Sequence, residues 1–97
     1  MLTMTNNPTS PRLRGTKKVE IYSTESCHFC HMAKVFFTEN GVEFSDYNVG
    51  LDTAKRAEMV GMTGQMGVPV IVIDGKDVVI GFDKKALSKL LEIPVAV

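Results

Sequence analysis

Two of the 97 residues are cysteines, three apart in the run Cys27-His28-Phe29-Cys30. A thiol pair can exchange with a disulfide, one thiolate attacking a partner sulfur and the second thiol displacing that partner. A spacing of three puts both sulfurs on the first turn of a helix. Cys27 is then expected to be the exposed attacker and Cys30 the resolver, buried one turn in. A bridge between them would close so short a loop that it would constrain the unfolded chain only weakly. A structural staple is therefore the poorer reading, and redox or metal chemistry the better one.

The neighbouring histidines widen the choice. A protonated His28 would place a cation beside the Cys27 sulfur. Cys27-His28-Phe29-Cys30-His31 also matches C-x-x-C-H, the attachment signature for c-type haem, with His31 as one axial ligand and Met59, Met62 or Met66 as the other. Methionines at helical or loop spacing more often fill a core, as Phe36 and Phe37 are expected to do, and the β-rich surroundings are unlike a small cytochrome. Zinc would need Cys27, Cys30, His28 and His31 together, four ligands from five adjacent residues, with no second Cys or His cluster. No metal is expected. His31 is assigned to the exposed side of the first helical turn, and Phe29 to the rim of the site.

The elements that position the pair follow from periodicity. Lys18 to Ser23 alternates as a half-buried strand, with Val19 and Ile21 on one face. In the polar run Thr24-Glu25-Ser26, Thr24 or Ser26 is expected to cap the following helix. Met32, Ala33, Phe36 and Phe37 recur at spacings of three and four, and Asn40-Gly41 ends that helix. Val42, Phe44 and Tyr47 suggest a second strand. Leu51-Asp52-Thr53 starts a second helix, which Gly61 and Gly64 stop. The apolar runs Val68 to Ile73 and Val78 to Ile80 flank Asp74-Gly75, a hairpin signal. Asp83 caps a third helix that ends before Pro94. The order is β-α-β-α-β-β-α, an α/β chain whose first unit implies parallel strands with a right-handed crossover and whose hairpin adds two antiparallel strands.

Bulk properties agree with one soluble domain. The length suits a single core, and 44% hydrophobic with 23% charged residues is ordinary for a globular protein. Eleven basic residues balance eleven acidic ones, which gives no sign of nucleic acid or an anionic membrane as partner. No apolar run approaches the roughly 18 to 20 residues of a spanning helix. Residues 1–16 are basic and rich in Ser, Thr and Asn; Pro8, Pro11 and the Asn pair oppose an amphipathic targeting helix. A disordered tail is expected there, with one domain over 17–97 and, lacking a secretory signal, a cytoplasmic location.

Four features in order carry a family resemblance. They are a strand leading into Cys27-x-x-Cys30 and a helix, Gly67-Val68-Pro69 opening a strand, the Asp74-Gly75 hairpin, and Gly81-Phe82-Asp83 before the last helix. From Lys18 to Leu91 the chain resembles the glutaredoxins, small members of the thioredoxin-fold superfamily. The resemblance implies a four-stranded mixed sheet flanked by helices, and a monomeric disulfide oxidoreductase needing no bound cofactor, with disulfide-containing proteins as substrates and glutathione as co-substrate. It implies a cis bond at Val68-Pro69 beside the cysteines, with main chain there pairing to a bound thiol peptide. Thr24 stands where glutaredoxins usually carry a Lys or Arg for the glutathione carboxylate. Gly81-Phe82 replaces their usual Gly-Gly, and Asp83 is either a ligand for the γ-glutamyl amine or a plain cap. Thr24, His28, Phe29, Val68, Pro69, Gly81, Phe82 and Asp83 thus form the candidate substrate site. Gly-Phe is similar to the glutaredoxin-like electron donors of ribonucleotide reductase, which implies a thioredoxin-reductase-type flavoprotein as the other candidate reductant. His-Phe replaces the common Pro-Tyr between the cysteines, which bears on the redox potential. An iron-sulfur cluster shared through Cys27 and glutathione is a further alternative in this family. A redox-inert binding module using the Val68 edge would leave the two cysteines unexplained.

Overall fold

A computed structural model describes residues 17–93. The expected tail, 1–16, and the last residues of the expected domain, 94–97, lie outside the described residues. The elements are β1 (Val19–Ser23), α1 (His28–Glu39), β2 (Ser45–Asn48), α2 (Thr53–Thr63), β3 (Val70–Ile73), β4 (Asp77–Ile80) and α3 (Lys84–Leu90). They occur in the expected order. The four strands form one sheet in the order β2-β1-β3-β4. β1 runs parallel to β2, with Glu20 opposite Ser45, and antiparallel to β3, with Val19 opposite Ile73; β3 and β4 form the antiparallel hairpin.

Strand alternation divides the core between two faces. Val19, Ile21, Ile71, Ile73 and Val79 meet Ala33, Phe36 and Phe37 of α1 and Leu87 of α3. Tyr22, Val70 and Val72 meet Met59 of α2 on the other face. Central β3, Val-Ile-Val-Ile, is therefore buried at every position, which explains its continuous apolar run. In the hairpin turn Asp74 has φ +56 and Gly75 φ +70, the paired left-handed conformation of a type I′ turn.

Three boundaries depart from the expected ones. Val42 does not begin β2, because its N–H donates to the Phe37 carbonyl at 2.8 Å while Gly41, at φ +68, donates to Thr38. Those bonds close α1 in a Schellman motif and delay the strand to Ser45. Gly61 does not stop α2 but lies inside it, and Gly64 at φ +71 ends the helix. β3 starts at Val70, after the Val68-Pro69 bond, which is cis as the resemblance implied. Among the methionines, Met59 is buried, but Met32, Met62 and Met66 are 39%, 43% and 64% exposed, and so are not the core residues expected. Each sits beyond the apolar stripe of its helix or in the loop before Pro69.

Candidate active site

Cys27 follows the loop after β1 and is itself the N-cap of α1. Its backbone is extended, at φ −85 and ψ 111, and its sulfur accepts a hydrogen bond from the Cys30 N–H at 3.1 Å. Neither Thr24 nor Ser26 takes the capping role assigned to them. The physical reason is spacing: a cap side chain reaches the amide three residues on. The C-x-x-C interval is that same interval. An N–H donated to sulfur strengthens when the sulfur carries charge.

The cysteine environments differ sharply. Cys27 is half-buried and Cys30 has no exposed surface. Burial, and then the hydrogen bond to Cys27, push the Cys30 thiol up to about 12, while a backbone hydrogen bond from Thr24 and the charge of Lys34 pull the other way. Cys30 is thus a protonated thiol at neutral pH. Cys30 is enclosed as expected, whereas Cys27, expected to be exposed, is half-buried, its sulfur drawn in by the Cys30 N–H.

Across from α1, the Cys27 thiol points at the Val68 carbonyl, 3.8 Å away. Val68 is half-buried, and Pro69 is fully buried. Among the described residues, Val68 enters hydrogen bonds only as that acceptor, so its N–H has no partner there. The Gly81 N–H donates to the Pro69 carbonyl at 2.8 Å and fastens the end of β4 to the same loop. Gly81 has φ +87, a conformation that L side chains resist.

The other candidates fall into two groups. His28 and Phe82 line an apolar groove of about 440 Å³ with His31, Met32, Val35, Phe36, Glu39 and Lys84. The Phe82 ring is half-buried and meets the Phe36 ring edge-on at 5.8 Å. Phe29 is not among the residues that line that groove; it is 58% exposed, and its ring centre lies 5.8 Å from that of His28. His31 is exposed as expected, its Nε2 lying 3.3 Å from the Glu25 carbonyl oxygen. Thr24 is half-buried, and its carbonyl accepts from the Cys27 N–H at 3.4 Å. Asp83 is the N-cap of α3, its carboxylate accepting from the Ala86 N–H at 3.1 Å. Among the described residues, no three or more His, Cys, Asp or Glu side chains come together in a group able to hold a metal.

One polar cluster, whose lysine acts by its charge on Cys30, had no sequence signal of its own. Ser23, buried at the end of β1, donates to Asp46 Oδ1 at 2.6 Å, and Lys34 Nζ donates to Asp46 Oδ2 at 2.8 Å. Only the position of Lys34, four residues after Cys30 and on the same helix face, could have pointed to it.

Comparison with known proteins agrees with this geometry. The glutaredoxin family model matches residues 19–78, more than half of the chain. A glutaredoxin-like 8.6 kDa protein of Clostridium pasteurianum, itself uncharacterised, is 40% identical over 74 residues, covering 76% of this chain and 97% of its own. Among solved structures, a variant of the thioredoxin-like protein BC3987 has a TM-score of 0.73 at 33% identity, covering 78% of this chain and 96% of that one. The glutaredoxin-like NrdH-redoxin of Escherichia coli, whose structure is described as the basis of a thioredoxin-like activity profile, has a TM-score of 0.66 at 25% identity, over 81% and 99% of the two chains. Family and fold together support thiol-disulfide oxidoreductase chemistry. With an N-capping Cys27, an enclosed Cys30 and a cis Val68-Pro69 bond on a four-stranded mixed sheet, the chain belongs to the glutaredoxin family.

Proposed function

We propose that this protein reduces protein disulfides or glutathione mixed disulfides by a two-cysteine exchange. The Cys27 thiolate attacks one sulfur of the substrate disulfide. A Cys27-substrate disulfide forms, and the other substrate sulfur leaves with the electron pair and takes a proton. Cys30 then loses its proton and attacks the Cys27 sulfur. The Cys27-Cys30 disulfide forms as the second substrate thiolate departs and is protonated. The substrate has gained two electrons, and the cysteine pair has lost them.

The observation that carries this reading is the unequal setting of the two sulfurs. Half-buried Cys27 accepts the helix amide, while fully enclosed Cys30 is held as a thiol. The Val68 N–H, which has no partner among the described residues, suits main-chain pairing with an extended substrate. We assign Thr24, His28, Phe29, Val68, Pro69, Gly81, Phe82 and Asp83 to the substrate surface. The protein acts as a cytoplasmic monomer with no resident cofactor.

Glutathione and a thioredoxin-reductase-type flavoprotein are the two candidate reductants. Thr24 in place of a basic residue, and Phe82 turned onto Phe36, lean toward the flavoprotein, as does the likeness to NrdH-redoxin. The test runs a glutathione mixed disulfide with glutathione and its reductase beside a protein disulfide with thioredoxin reductase and NADPH. Turnover in either system supports the proposal, and turnover in neither refutes it. Cys27→Ser is expected to abolish both activities. Cys30→Ser is expected to abolish protein-disulfide reduction, while deglutathionylation survives because glutathione itself can take the place of Cys30 and displace Cys27 from the mixed disulfide, forming glutathione disulfide.

A further inference from the structure

The second half of such an exchange has an electrostatic difficulty. The resolving thiol must ionise while enclosed, yet Cys30 has no exposed surface. Once Cys27 is tied to substrate, its own sulfur carries no charge and no longer influences Cys30 as a titrating neighbour. Two favourable influences remain, the backbone hydrogen bond from Thr24 and the positive charge of Lys34.

Lys34 is not a loose surface charge. It stands one turn after Cys30 on the same face of α1, and its Nζ is held 2.8 Å from Asp46 Oδ2 with a quarter of the side chain exposed. Asp46 is in turn fixed by the hydroxyl of Ser23, a polar residue only 2% exposed at the end of β1, 2.6 Å from Oδ1. β1, β2 and α1 thus converge on one cation. Cys30 is faced by Cys27 at the cap, by the Thr24 amide from the loop after β1, and by Lys34, which is itself paired with Asp46 on β2.

We infer that Lys34, positioned by Asp46 and Ser23, promotes the ionisation of Cys30 in the resolving step, and that Asp46 moderates this effect. The inference rests on the proposed roles of Cys27 as attacker and Cys30 as resolver. It differs from a structural role in its signs. Removing the cation slows resolution, whereas removing the anion that masks the cation speeds it. Loss of a merely structural ion pair would move both variants the same way.

A symmetrical aromatic disulfide, dithiobis(nitrobenzoate), separates the two steps. Cys27 displaces the first nitrothiolate to form a mixed disulfide; Cys30 displaces the second and closes the Cys27-Cys30 bond. Stopped-flow measurement of the second release across pH is the readout. Lys34→Gln is expected to move its midpoint to higher pH and to slow it roughly two- to fivefold at neutral pH, as suits a partly exposed charge. Asp46→Asn is expected to move the midpoint to lower pH and to speed the step. Lys34→Arg keeps the wild-type profile. These differences shrink at 1 M salt, where the screening length is about 3 Å. The first release, which belongs to Cys27, serves as the internal reference.

The inference is overturned if both variants shift the second release in the same direction, or if neither shifts it. Failure of the underlying reading looks different: Cys30→Ser would still release both equivalents, or Cys27→Ser would still release the first. Either result removes the roles on which the inference depends. Thermal melts of Lys34→Gln and Asp46→Asn accompany the kinetics, and a second-step shift of opposite sign in two folded variants is the supporting outcome.

Discussion

At the level of single residues, one sulfur atom serves both structure and chemistry. Cys27 Sγ caps α1 through the Cys30 N–H and faces the Val68 carbonyl. Serine is among the better capping residues and alanine among the poor ones. Cys27→Ser should therefore stay within about 0.5 kcal/mol of the parent in urea unfolding, and Cys27→Ala should lose about 1 kcal/mol, although both abolish exchange. Equal stability of the two variants would contradict the capping role. Gly81 makes a comparable demand on the backbone. Its φ of +87 makes Gly81→Ala costly by roughly 1 to 2 kcal/mol, and because its N–H fastens the Pro69 carbonyl, the loss of stability should come with slower exchange. Denaturant unfolding and turnover on the same variant check this.

Among the elements, α3 joins the core to the edge of the proposed substrate surface. Leu87 is buried in the core, and Asp83 caps the helix start. A cap and a charged ligand make separable predictions, because asparagine caps about as well as aspartate. Asp83→Ala should cost roughly 0.5 to 2 kcal/mol, and Asp83→Asn nearly nothing. If Asp83 also holds the γ-glutamyl amine, Asp83→Asn should raise the KM for glutathione while leaving the melting temperature in place. An unchanged KM would leave Asp83 a cap alone. α1 is more exacting. Phe37 is fully buried and meets the rings of Phe36 and Phe44. Phe37→Ala should cost about 3 to 5 kcal/mol, measurable by urea denaturation, and loosen the helix that carries both cysteines.

On the scale of the whole molecule, the face of the sheet covered by α2 is joined by a polar network. The Tyr22 hydroxyl donates to Glu58 Oε1 at 2.8 Å, Lys55 Nζ donates to the same oxygen at 3.1 Å and lies 4.2 Å from the centre of the Tyr47 ring, and the Tyr47 hydroxyl donates to Glu20 at 2.8 Å. The hydrogen bond from Tyr22, and then that from Lys55, hold the Glu58 carboxyl below its usual range. A carboxyl lowered on folding adds stability above its unfolded value of roughly 4.3, and that stability disappears as pH falls through the lower folded value. Glu58→Gln should therefore reduce the acid-induced loss of stability below about pH 4.3, seen as a flatter dependence of melting temperature on pH. An unaltered acid limb would count against the network.

The sequence by itself determined the element order and the thiol character of the pair. Those depend on local physics: the period of Ala33, Phe36 and Phe37, the unbroken apolar run of β3, the Asp74-Gly75 turn, and two sulfurs three residues apart. Where local signals competed, they misled. Val42 has the apolar character of a strand residue, but its amide completes the Schellman motif; Ser26 looks like a cap, but Cys27 has the position. Tertiary structure alone decided that the Cys27 thiol faces Val68, that Phe82 packs on Phe36, and that Asp46 gathers Ser23 and Lys34, the lysine whose charge acts on Cys30. These contacts join residues of different elements, and a hydrogen bond or ring contact depends on distances that only the packing of those elements sets.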